Sequence, residues 1–269
     1  MRPALLPVLD AEASRTAERP RTWAWRAAVA VLGLVAWEAL ARSLGSLMLP
    51  GAGATLVALA RIAGEGDLWW ALWTSNQALL YGYLLAVVVG VPLGLLAGRA
   101  RRLGAFAGVI LDVLLFTPTP AVIPLVVLAT GLGLGTRALV VFVFAVAIIA
   151  VHAAAGARGA NPEIIEMARA FGAGHLQLYR RVVLPAALPS VLVGLRLGLS
   201  RGISGMVAVE LLLVAVGLGR LLERFQGDFD AGGVYAVVLV IVAEAVLLTG
   251  AVRQAERRLA LRRSDAGLA

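Results

Sequence analysis

The sequence predicts an all-α polytopic membrane protein with six transmembrane helices, and three observations carry that expectation. The 269-residue chain is 61% hydrophobic and 15% charged, whereas a soluble domain is roughly half apolar and a quarter charged. Apolar runs of about 20 residues, the length a helix needs to cross a bilayer, recur six times along it. Its arginines alternate between the two sides in phase with those runs.

Residues 1–22 carry Asp10, Glu12 and Glu18 among several arginines and lack an apolar stretch. They are therefore no cleavable signal peptide and are expected to be a mobile cytosolic tail. Spans follow at roughly 24–44, 75–98, 105–130, 138–156, 187–214 and 233–252. Each must be helical, because backbone groups in hydrocarbon have to be paired internally. The expected organisation is a membrane domain over 23–258, containing a loop at 157–186, and a cytosolic tail over 259–269.

The arginines test the count. Seventeen lie on one side: Arg2, Arg15, Arg19, Arg21 and Arg26, then Arg99, Arg101 and Arg102, then Arg158, Arg169, Arg180 and Arg181, and finally Arg253, Arg257, Arg258, Arg262 and Arg263. Five lie on the other: Arg42, Arg61, Arg137, Arg220 and Arg224. The positive-inside rule then puts both termini in the cytosol. The net charge of +8 and a pI near 11.2 come from these flanking arginines, so no nucleic-acid partner is expected.

Composition also excludes chemistry. There is no cysteine, and His152 and His175 are the two histidines, which removes thiolate chemistry and leaves too few imidazoles for a His-rich metal site. The chain holds no lysine, so it cannot be a conventional P-loop ATPase. Any ATP that powers it binds another subunit.

The loop 157–186 has the richest pattern. Asn161-Pro162-Glu163 is a helix start, with Asn as cap and Pro in the first turn. Glu163 and Glu166 follow where the helix dipole favours acids. Ile164, Ile165, Ala168 and Phe171 recur at helical spacing, and Gly172 is a stop. A second short helix runs after Gly174 to Val183, with Leu176, Tyr179, Val182 and Val183 on one side, and Leu184-Pro185 ends it before Pro189 opens the next span. Such a knob can plug into a partner's groove or rest as a hairpin on anionic lipid. Arg169, His175, Gln177, Arg180 and Arg181 form its polar edge.

Glu166-Met167-Ala168, then Gly172, then Val182-x-Leu184-Pro185, resembles the EAA loop of ABC importer permeases, E-A-A-x3-G-x9-I-x-L-P, with Met for Ala and Val for Ile. The resemblance extends over residues 49–260. Leu49-Pro50, Pro118-Thr119-Pro120 with Pro124, Gly131-Leu132-Gly133, Gly194-Leu195-Arg196, Val209-Glu210 and Gly217-Leu218-Gly219 are similar to permeases for sulfonates, taurine, nitrate or bicarbonate, and thiamine-precursor pyrimidines. Residues 116–120 depart from the members with Arg-Ala-Ile-Pro there.

That resemblance implies a type I importer permease fold and a transport subunit that is not itself an enzyme. It also implies a multi-pass location in the bacterial inner membrane, surrounded by lipid. The implied partners are a second permease copy, a cytosolic ATPase dimer holding ATP and Mg²⁺, and a periplasmic or lipid-anchored substrate-binding protein. The residues it points to for coupling are Glu166, Ala168, Arg169, Phe171, Gly172, His175, Tyr179, Leu184 and Pro185.

Charges inside spans face the bundle interior or water. Glu210 is the preferred gate or pathway residue, and Glu244 a second candidate, with Arg196 or Arg201 as its intramembrane ion-pair partner. Glu38 and Asp112 lie within spans near a membrane face. Thr117 and Thr119 are candidate pathway hydroxyls beside Pro118, Pro120 and Pro124, which are expected to kink span three. Gly82, Gly90, Gly94, Gly194, Gly198 and Gly202 suit close helix packing. Loop 45–74, with Trp69 and Trp70, is expected on the outer face, its tryptophans at the interface. The competing function is a proton-coupled secondary transporter or channel, with Glu210 and Glu244 as relay.

Overall fold

Where helices meet without water, small residues set how closely backbones approach, and glycines set the plan of this molecule. The computed structural model describes Trp25, residues 27–44 and residues 49–265; of Arg101, Thr119 and 259–265 only the backbone is described. The expected N-terminal tail and the last residues of the expected C-terminal tail lie outside the described residues.

The described elements are helical: α1 (Ala27–Leu44), α2 (Ala52–Gly64), α3 (Gly66–Arg99), α4 (Arg101–Phe116), α5 (Thr119–Thr130), α6 (Leu134–Arg158), α7 (Pro162–Ala170), α8 (His175–Leu178), α9 (Leu184–Leu212), α10 (Gly217–Gly227) and α11 (Ala231–Asp265). Helix α6 is the axis. Along one side Gly82, Gly90, Gly94 and Gly98 of α3 meet its backbone: a Cβ at Gly94 would stand 2.3 Å from the Ala150 carbonyl oxygen. Along another, Gly194, Gly198, Gly202 and Gly205 of α9 abut His152, Ile149, Val141 and Phe144. The packing role expected for these glycines is the one they have.

Around this axis α4 packs on α3 and α6, α5 on α6 and α9, and α11 on α2, α9 and α10. Outward faces stay apolar: Val29, Leu32, Val88, Val242 and Leu247 are each at least half exposed. Such a surface needs lipid or a partner to cover it. Helix α1, the α3, α6 and α11 helices and the run His175–Leu212 are each long and apolar enough to cross a membrane, and the bent pair α4–α5, counted as one span, makes six.

Three expectations are corrected. Span three is not a kinked helix but two helices bent by 106°. Thr117 precedes proline and takes an extended conformation (ψ 130°), as a pre-proline residue prefers; Pro118 and Pro120 then start α5 without needing amide hydrogens. Loop 45–74 is mostly helix, because Thr55, Ala58 and Ile62 give α2 a buried stripe and Glu38 accepts a hydrogen bond from the Ala52 amide (3.0 Å).

Leu184-Pro185 ends nothing. Helix α8 passes through a π-helical turn, Tyr179–Val183, directly into α9. The wide turn stands where the Pro185 ring would otherwise meet a regular helical carbonyl. Helix α11 also continues to Asp265, so the backbone of 259–265 is helical.

Candidate functional site

Helices α7 and α8 form a projecting knob. The Asn161 side chain accepts from the Glu163 amide (2.9 Å), fixing the start of α7. Its end is a Schellman turn: Ala173 N–H donates to Ala168 C=O (3.0 Å), Gly172 N–H donates to Arg169 C=O (2.9 Å), and Gly172 takes φ +77°. A Cβ would be strained there. After it, Gly174 N–H donates to the Gln177 side chain (3.2 Å).

The knob has two apolar sides, which periodicity merged into one. Ile165 and Leu178 are buried with Val183, Leu95, Ala157 and Val191, and Ala168 and Tyr179 pack at the margin. Those residues weld the knob to the bundle. Facing away are Ile164, Met167, Phe171 and Leu176, exposed by 45, 55, 86 and 70%. Thus Phe171 and Ile164 leave the face expected of them, and Leu176 parts from Val183. Glu166, Arg169, His175 and Leu184 are exposed around that patch and Pro185 is half-buried. A protein surface with four large apolar side chains rimmed by charges fits a partner.

The second cluster is centred on Glu210. It is fully buried, and Arg137 is 6% exposed. Arg137 donates to Glu210 Oε1 (3.1 Å) and to the Thr74 carbonyl (3.0 Å); Ser75 Oγ donates to Glu210 Oε2 (2.7 Å), and Gly219 N–H donates to the same oxygen (3.3 Å). Leu218 N–H completes it by donating to Ser75 Oγ (3.0 Å). The carboxylate therefore lies at the N-terminus of α10, where helix dipole and free amides favour an anion.

Gly217 has φ +59°, and a Cβ on it would fall 2.2 Å from Ser75 Oγ. The cluster joins α3, α6, α9 and α10. Arg137 and Ser75 escape sequence reading: Arg137 reads as a flanking arginine, and Ser75 has no pattern. The buried stripe Leu218, Leu221, Leu222 and Phe225 of α10 was detectable at helical spacing.

Other candidates fall elsewhere. Thr117 Oγ1 donates to the Val113 carbonyl (2.6 Å), closing the end of α4, and the Thr119 side chain lies outside the described residues. Glu244 is 9% exposed and lines, with Asn76, an apolar groove of about 510 Å³ between α3 and α11. Its expected arginine partner is corrected: Arg196 pairs with Glu256 (3.1 Å), which the extended α11 carries to it. At the α10 end Arg61 binds Asp230, and Arg224 binds Asp67 (2.7 Å). The Gly233 amide and then Arg61 hold the Asp230 carboxyl below its usual range.

A glycine-seamed bundle of apolar spans with a helical knob at one end is the architecture of a multi-pass membrane protein. Residues 90–261 match the family described as binding-protein-dependent transport system inner membrane component. The chain belongs to that family and is the permease component of an ABC importer. It is 33% identical to the taurine transport system permease protein TauC of Escherichia coli (strain K12) over 86% of each chain. It is 27% identical to SsuC of Bacillus subtilis (strain 168), named for aliphatic sulfonates transport, over 94% of each. A solved inward-facing MetNI methionine ABC transporter has the same fold, with a TM-score of 0.64 at 22% identity, covering 71% of this chain and 95% of that one.

Proposed function

We propose that this permease couples a separate ATPase to uptake of a small sulfonate-type nutrient. The observation that carries this is the exposed patch Ile164, Met167, Phe171 and Leu176 on a knob whose other side is anchored by Ile165 and Leu178. A surface element anchored that firmly transmits force from a docked partner, and a lipid-resting hairpin would not need the anchor. The partner is an ATPase dimer holding ATP and Mg²⁺, and its closure rocks the spans because the knob docks differently in the two nucleotide states. The arginine asymmetry supports an orientation with the knob and both termini in the cytosol.

A second copy of the chain completes the pathway in the inner membrane, and a substrate-binding protein, periplasmic or lipid-anchored, delivers cargo. Similarity to TauC and SsuC favours sulfonates, taurine among them, over nitrate, bicarbonate or pyrimidines. A proton relay through Glu210 and Glu244 is disfavoured, because Ser75, Arg137 and Gly219 already occupy the Glu210 carboxylate. Co-purification with the candidate ATPase tests the coupling surface. Removing residues 161–183 is expected to abolish ATPase capture, and capture undiminished by that deletion contradicts the proposal.

A further inference from the structure

Two of the three charges on the long helix α9 are engaged: Glu210 is closed by Arg137, and Arg196 holds Glu256. Arg201 is not. It is exposed on α9, and among the described residues no acceptor takes its guanidinium. By helical rise it stands about 25 Å from the Leu184 end of α9 and about 17 Å from the Leu212 end, which is deep within the span. A guanidinium at that depth faces water or protein rather than lipid.

The surroundings agree. Leu197, Ser200, Arg201 and Ser204 share one exposed face of α9, at three- and four-residue spacing. Ser204 Oγ donates to the Ser200 carbonyl (3.1 Å), which commits its proton, and among the described residues Ser200 Oγ is the hydroxyl of the stripe left free to donate. The adjoining face, Gly194, Gly198, Gly202 and Gly205, is sealed on α6, and the face opposite the stripe buries Leu199, Ile203 and Met206. Helix α9 also touches α3, α5, α10 and α11. The stripe is the part of this otherwise packed helix left open, and its charge calls for water or a partner rather than lipid to cover it.

We propose that Arg201, flanked by Ser200 and Ser204, is an anion subsite of the translocation pathway, receiving the acidic oxyanion group of the cargo. The proposal rests on the importer reading and deepens it, since an unpaired cation beside the Ser200 hydroxyl complements a sulfonate or carboxylate.

The test exploits the absence of cysteine. Ser204→Cys, in the complex with ATPase and binding protein, is labelled with the water-soluble anionic reagent 2-sulfonatoethyl methanethiosulfonate and with its trimethylammonium counterpart. Each rate is divided by that reagent's rate with a free thiol in solution. The anionic reagent is expected to be favoured about tenfold, and adding Arg201→Ala is expected to erase the preference. No labelling by either reagent, or a preference indifferent to Arg201, overturns the subsite.

Uptake of radiolabelled taurine into proteoliposomes is the second readout. Arg201→Ala is expected to reduce it at least about tenfold with the complex intact, and Arg201→Lys to retain most of it. Loss of the assembled complex together with uptake would make Arg201 a pairing residue between copies and overturn the proposal. A wild-type complex without ATP-dependent uptake would instead sink the importer reading, while the labelling still decides the subsite.

Discussion

Among single residues, Glu210 is held by more of the molecule than any pattern could indicate. Its three side-chain and amide donors come from α3, α6 and α10, and the carboxylate fixes where α10 docks. Breaking a buried pair by removing one partner strands a charge and destabilises by about 3–5 kcal/mol. Arg137→Ala is therefore expected to lower the unfolding temperature in detergent sharply, and an unchanged midpoint would show that the cluster does not hold α10. The sequence pointed to Glu210 because an acid in a span is unusual. It could not reveal the reason, since Arg137 and Ser75 lie 73 and 135 positions away.

Asp230 makes a different case. Its folded pKa is depressed, so its contribution to stability is complete above the unfolded carboxylate value of about 3.9. That contribution is lost as pH falls through the lower folded value. The difference in midpoint between wild type and Asp230→Asn is expected to be constant from neutral pH to about pH 5 and to shrink below about pH 4.

Elements divide into those that propensity and punctuation settle and those that packing settles. Helix α7 was fully legible: Asn161, Pro162 and Gly172 mark its ends, and the capping bonds follow them. Its orientation was not, because both sides of α7 are apolar and only the bundle decides which is buried. Substituting Phe171 and Met167 together by Ala is thus expected to shift stability by no more than about 0.5 kcal/mol, as for surface positions, while abolishing ATPase capture. Ile165→Asp, which places a charge under the knob, is expected to unfold it, seen as rapid proteolysis at 157–186.

The break between α4 and α5 and the continuity of α8 with α9 were misjudged for one reason. Proline constrains its neighbours, but whether a chain bends, widens or stops is fixed by what the freed segment packs on. For the α3–α6 seam, Gly94→Val is expected to prevent tight packing, since the Ala150 carbonyl leaves no room for a side chain. Loss of a folded peak in size-exclusion chromatography is the readout, and a wild-type elution profile would refute the seam.

At the scale of the whole molecule, each hydropathy-placed span falls on a long apolar helix or, for the third, on the bent pair α4–α5. The outer connections were under-read as loops because α2 and α10 are too short to register as spans and carry stripes that only burial makes visible. The assembled chain divides into parts: glycine seams that bring helices into close contact, the Glu210 clamp at one end and, at the other, the knob proposed to dock the ATPase. The most direct test is ATP-dependent uptake of radiolabelled taurine into proteoliposomes holding this chain, its ATPase and its binding protein, with and without the Phe171 and Met167 substitutions. Uptake is expected to require all three proteins and ATP, and to fall to background when the two side chains are removed. Uptake without the ATPase, or undiminished in the substituted chain, would contradict the account.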